Sequence, residues 1–186
     1  MRALLITSAL LALAACQKSP QPTNNESAST AEAGPQKGVD RSHKGQPAPD
    51  VGFDDPDGEQ TNLTELSGKP TLVNLWATWC APCVKELPTL NGLARARGDS
   101  FQVVAISQDS GPHPSVVAFL DSKAPDLAPY QDSKMALSGK LNAEVLPTSI
   151  LYDAQGKEVW RYVGDLDWTS PEAAKLLSEA SGPKNS

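Results

Sequence analysis

Cys80 and Cys83, separated only by Ala81-Pro82, stand between a run suited to a buried strand and a run suited to a helix. Ahead of them, Thr71-Leu72-Val73-Asn74-Leu75-Trp76 is nearly continuous in apolar residues, the pattern of a strand covered on both faces. Behind them a helix is expected over about Pro82 to Arg97, stopped by Gly98. Phe101-Gln102-Val103-Val104-Ala105-Ile106 then forms a second buried run. Strand, helix and strand in that order make a βαβ unit with a parallel pair, which sets the two thiols at a strand-to-helix junction. There the unpaired N–H groups and the positive end of the helix dipole stabilise a thiolate. Cys80 is expected to be that exposed, reactive thiol, and Cys83, about one turn further, its more covered partner in a disulfide. Pro82 fits the first helical turn, where a missing donor costs nothing.

Two other uses of the pair compete with redox chemistry. Zinc takes four ligands, and outside the pair only His43 and His113 remain, neither at ligand spacing. His43 reads as a solvated linker residue, and His113, in Gly111-Pro112-His113-Pro114, as a loop residue. A purely structural bridge closes too short a loop to stabilise much. No metal and no other cofactor is expected.

The rest of the domain is predicted to begin near Pro47. Val51-Gly52-Phe53 and Gln60-Thr61-Asn62-Leu63 flank the turn-rich Asp54–Gly58 as a small hairpin. Helical pattern returns at Ser115–Asp121 and, more weakly, at Ser133–Leu141. Thr148–Tyr152 and Glu158–Tyr162 form a hairpin about the turn Asp153–Lys157. A final helix opens at Thr169-Ser170-Pro171-Glu172, with either a Thr cap answered by Glu or a Ser cap followed by Pro. The order is that of an α/β sandwich.

Residues 1–46 have a different character. Arg2 precedes an apolar run from Ala3 to Ala15, shorter than the roughly 20 residues of a membrane span, which fits an export signal over residues 1–15. Leu13-Ala14-Ala15-Cys16 resembles the lipobox of bacterial lipoproteins, and that resemblance implies that Cys16 is lipidated and becomes the first mature residue. Two or more acyl chains hold a membrane far better than one. By resemblance to enterobacterial sorting, Gln17 favours the outer membrane. From Cys16 to Gln46 the chain is polar, with Val39 its only branched aliphatic, so residues 16–46 are expected to be a disordered tether. About 30 such residues span roughly 30 Å. With 16 Lys and Arg against 22 Asp and Glu, the chain carries a formal charge of −6 and no basic block, so no nucleic-acid partner is expected. Three cysteines exclude a disulfide-stapled scaffold, and with Cys16 as anchor none is left over.

The segment Val73-Asn74-Leu75-Trp76-Ala77-Thr78-Trp79-Cys80-Ala81-Pro82-Cys83-Val84-Lys85-Glu86-Leu87-Pro88 resembles the active-site region of thioredoxin-like proteins. It is most similar to the membrane-attached reductases of the cytochrome c maturation type and their TlpA- and ResA-like relatives. The resemblance spans about Pro47 to Ala180 and implies a thioredoxin-like fold with an added N-terminal β-hairpin over 47–182. It implies that Leu146-Pro147 is the cis-proline segment facing the dithiol, with the Leu146 backbone pairing with substrate. A plain strand-start proline is the alternative. Asn74 stands where thioredoxin has a buried Asp that handles the resolving thiol's proton, and Asn cannot accept it. Glu86, three residues after Cys83 and so on its helical face, is the expected replacement, although a lone helical Glu is ordinarily just solvated. Trp79 is expected to shield the dithiol or to join the core; Asp109, after the second strand, is not assigned to the site.

The function implied is reduction of disulfides in protein substrates, with Cys80, Cys83 and Glu86 catalytic and Trp79, Leu146 and Pro147 on the substrate side. The expected location is the periplasm, with a transmembrane thiol donor restoring the dithiol. The same motif also suits a disulfide oxidase or isomerase, or a copper-binding thioredoxin-fold chaperone. A peroxiredoxin would need Thr where this chain has Ala77.

Overall fold

Thr71–Trp76 forms the central strand β4, and all six of its residues are buried. Because side chains alternate along a strand, Leu72, Asn74 and Trp76 face one layer while Val73 and Leu75 face the other. The computed structural model describes residues 36–181. The expected export signal 1–15, Cys16, Gln17 and most of the expected tether lie outside the described residues.

The helix α1, Ala81–Arg97, leaves β4 and returns the chain to β5, Gln102–Ser107, which runs parallel to β4 from Thr71↔Gln102 to Trp76↔Ser107. On the other flank β7, Thr148–Tyr152, is antiparallel to β4 and pairs in turn with β8, Glu158–Val163. The expected hairpin is present as β2, Phe53–Asp54, and β3, Gln60–Thr61. Two strands were not legible in the sequence: β1, Gly38–Asp40, and β6, Tyr130–Gln131. The sheet of the described residues runs β1-β8-β7-β4-β5-β6-β2-β3. This is the thioredoxin-like α/β arrangement, with the added hairpin joined to the edge through β6.

One cluster packs Leu72, Trp76, Leu87, Leu90, Trp160 and Leu176 together with both cysteines. The other, on the opposite face, holds Val73, Leu75, Val104, Ile106, Leu137 and Ile150. The remaining helices are α2, His113–Lys123; α3, Ala136–Leu141; and α4, Pro171–Leu177. Ser170 caps α4, its hydroxyl accepting from Ala173 N with Pro171 in the first turn, so the Ser-Pro alternative is the one used. No helix among the described residues is long and apolar enough to cross a membrane.

Two expectations are corrected. The folded chain begins before Pro47: β1 pairs with β8 from Gly38↔Val163 to Asp40↔Arg161, and Val39 packs against the first cluster. Gly45 N then donates to Glu158 O and Glu158 N to Gln46 O, so residues 38–46 belong to the domain. His43 lies in that ordered turn, its Nδ1 3.5 Å from Gln46 Oε1. His113 is no loop residue; it opens α2, and its Nε2 lies 2.8 Å from the Pro129 carbonyl.

Candidate active site

The ends of β4 and β5 present the loop Ala77–Trp79, and this loop is tied down before it reaches the cysteines. Asp109, just beyond β5, accepts from Thr78 N at 2.9 Å and from Thr78 Oγ1 at 2.6 Å. Ser107 Oγ donates to the same carboxylate at 2.7 Å. Cys80 then caps α1: its backbone is extended, with φ −90° and ψ 98°, and its Sγ accepts from Cys83 N at 3.3 Å. Cys80 and Cys83 are joined as a disulfide. A sulfur in this position meets the free N–H groups of the first turn, which favour the thiolate once the bond is reduced.

The expected contrast in exposure holds in order but not in degree. Cys83 is fully buried, and Cys80 keeps only 6% of its surface exposed instead of standing free. In the disulfide, the Cys80 sulfur is turned toward its buried partner.

Glu86 follows Cys83 by one turn of α1 and is 2% exposed. Asn74, projecting from β4 toward α1, donates from Nδ2 to Glu86 Oε1 at 2.7 Å and to Ser149 Oγ at 2.9 Å. The other oxygen, Oε2, accepts from Leu166 N at 3.1 Å and from Trp168 Nε1 at 3.2 Å. Burial raises the carboxyl pKa to about 7, although these three donors pull it back toward ionisation. A group poised there exchanges protons readily at neutral pH.

Leu146-Pro147 is cis, and the Pro147 carbonyl accepts from Gly164 N at 2.9 Å. Leu146 packs against both clusters and lines a groove of about 310 Å³ that also meets Trp79, Gln108, Met135, Asn142 and Glu144. Trp79 is 65% exposed, which rules out the core role; with Met135 it gives the groove an apolar wall.

The structure thus gathers Cys80, Cys83 and Glu86 along one helix, with Trp79, Leu146 and Pro147 on the segments around them. Sequence reasoning missed Trp168 altogether. The one available signal was an indole set among acidic and polar residues, Asp165-Leu166-Asp167-Trp168-Thr169. The donor role of Asn74 was also missed, although its position beside the motif was noted.

Comparison with known proteins bears on the same region. Residues 43–177 match the Redoxin family. The thioredoxin-like protein YneN of Bacillus subtilis is 34% identical over 116 residues, covering 61% of this chain and 67% of that protein. The thiol-disulfide oxidoreductase ResA of Bacillus anthracis is 30% identical over 122 residues, covering 65% and 70% respectively. Among solved structures, a Chlorobium tepidum protein assigned as the thiol:disulfide interchange protein DsbE superposes with a TM-score of 0.67. It shares 26% identity, over 75% of this chain and 98% of that one. The family match takes in the dithiol, the cis Leu146-Pro147 segment and the whole of α4, and the chain belongs to the Redoxin family as a thiol-disulfide oxidoreductase of the ResA and DsbE type.

Proposed function

We propose that this protein reduces disulfides in polypeptides outside the cytoplasm, held to a membrane by lipid on Cys16. The observation that carries the exchange chemistry is the Cys80–Cys83 pair at the start of α1 with the buried Glu86 carboxyl one helical turn behind the covered cysteine, and the similarity to maturation reductases favours the reductive direction. In the reduced protein the Cys80 thiolate attacks a substrate disulfide, forming a mixed disulfide and releasing one substrate sulfur as thiolate. Cys83 gives its proton to Glu86 and attacks Cys80 Sγ. The second substrate sulfur then departs, and the Cys80–Cys83 disulfide results. The substrate gains two electrons and the dithiol loses two. The groove between Trp79 and Leu146 holds the substrate backbone during the exchange. Extracytoplasmic space has no glutathione pool to draw on, so a transmembrane thiol donor restores the dithiol. Cysteines of apocytochrome c are one substrate that the similarity to maturation reductases suggests.

Cys83→Ala strands the reaction at the mixed disulfide. Expressed in cells with its native N-terminus, this variant is expected to accumulate adducts on Cys80 that dissolve with dithiothreitol and appear in the membrane fraction. Absence of any Cys80 adduct overturns the mechanism, and adducts confined to the soluble fraction overturn the anchor. A reduction potential near about −120 mV, that of a strong oxidant, instead of toward about −270 mV, reverses the assigned direction.

A further inference from the structure

We propose that Trp168 is a positioning residue of the exchange reaction: its indole N–H, with the Leu166 N–H beside it, favours the ionised form of Glu86, the form that can take the proton of Cys83. The inference rests on the proton-acceptor role assigned to Glu86 above and names what makes that role possible.

An isolated carboxylate this deeply buried would neutralise itself and could accept nothing. Glu86 meets donors on both oxygens: Asn74 Nδ2 on Oε1, Leu166 N and Trp168 Nε1 on Oε2. The three differ in what they can do. An amide such as Asn74 can turn and offer its oxygen, whereas an indole is a donor only. Trp168 therefore favours the carboxylate over the acid in every orientation it can adopt, because a hydrogen bond to an ionised acceptor is the stronger one.

The loop between β8 and α4 is built to hold the indole there. Trp168 N donates to Thr89 Oγ1 at 3.3 Å, and Thr89 Oγ1 donates to the Glu86 carbonyl at 2.8 Å, which ties the loop to α1. Asp165 is clamped by Lys37 at 2.6 Å and by Lys85 at 3.3 Å. Trp168 is 2% exposed and shares the core cluster of Cys80 and Cys83.

The charged and titratable groups around Glu86 come from four directions. They are Cys83 and Lys85 on α1, Asp165 and Asp167 on the loop, Tyr162 on β8, and Lys37 ahead of β1. Asp165 opposes ionisation of Glu86, and the two lysines offset it. Between them opens a cavity of about 200 Å³ lined by Lys85, Glu86, Thr89, Asp165, Leu166 and Asp167. The proton that Cys83 passes to Glu86 leaves to water by this route, so the carboxylate is regenerated for the next turnover.

Trp168→Phe keeps the ring and removes the donor. With Glu86 followed by 13C-carboxyl NMR in the oxidised protein, and the resonance assigned by its loss in Glu86→Gln, the variant is expected to titrate about one pH unit higher, leaving about fivefold less carboxylate at pH 7. The acid limb of the pH–rate profile for substrate disulfide reduction is expected to move with it. If Glu86→Gln removes that limb and Trp168→Phe leaves both titration and limb in place, the role of Trp168 is overturned and that of Glu86 survives. If Glu86→Gln leaves the limb untouched, the proton-acceptor role itself fails. Should Trp168→Phe not fold, the wild type still decides the matter. The Trp168 indole proton must shift with the Glu86 titration and lose that shift in Glu86→Gln; a flat resonance overturns the proposal.

Discussion

Glu86 is under opposing pressures. Burial favours its neutral form and three donors favour its charged form, with burial the larger effect and the pKa lifted to about 7. In the unfolded chain the same carboxyl titrates near its ordinary 4.5. The fold therefore holds the proton more tightly than the unfolded chain does. The stabilisation from this group is complete below the unfolded value and is lost as pH climbs through about 7. Between pH 5 and pH 8 the wild type is expected to lose on the order of 3 kcal/mol relative to Glu86→Gln. Denaturant unfolding of both oxidised proteins at the two pH values measures that difference in slope. Equal slopes would show that Glu86 does not titrate between them. This residue was reachable from sequence because it shares a helix with Cys83, where spacing fixes direction. Trp168 was not, since its contact with Glu86 spans 82 residues and depends on how β8 delivers the loop.

Among the elements, those with a periodic apolar pattern were legible: β4, β5, β7, α1 and the β7–β8 hairpin all fall where the sequence places them. β1 and β6 were not, because strands of three and two residues carry no periodicity and exist through their partners' hydrogen bonds. Strand β8 also carries a buried ion pair. Arg161 is buried, with Nε and Nη2 each 2.8 Å from the two oxygens of buried Glu158 and Nη1 2.7 Å from the Leu141 carbonyl. The pair ties β8 to the end of α3. Removing one partner strands the other charge in the interior, and Glu158→Ala is expected to cost about 3–5 kcal/mol. Glu158→Leu with Arg161→Met removes both charges and is expected to recover most of that loss. Urea unfolding of the single and double variants tests this. A double variant as unstable as the single one would mean that the pair itself, not the unpaired charge, is what matters.

At the scale of the whole molecule, the question is where the folded unit starts. A polar stretch with one branched aliphatic reads as a tether, since it buries too little to offset its ordering entropy. That reading misjudged residues 38–46 because the exposed edge of β8 supplies what the segment lacks. Pairing with β8 satisfies the backbone of Gly38–Asp40, Val39 covers part of the core, and Gly45 and Gln46 bond to Glu158. The Lys37–Asp165 and Arg41–Glu179 pairs are exposed and contribute little by themselves, so the stabilisation lies in the backbone bonds and Val39. A chain beginning at Pro47 leaves the β8 edge open and the Glu158 backbone without these partners. Each lost bond carries about 0.5–1.5 kcal/mol net, and several are lost together. At about 2–5 °C per kcal/mol for a domain of this size, the shortened chain is expected to melt roughly 10 °C below one beginning at Gln36. Calorimetry of the two oxidised proteins measures the gap. Coincident melting would return β1 to the tether and set the boundary at Pro47. A large gap makes residues 38–46 a structural strap, and the reach of any anchor at Cys16 is then shorter by those residues.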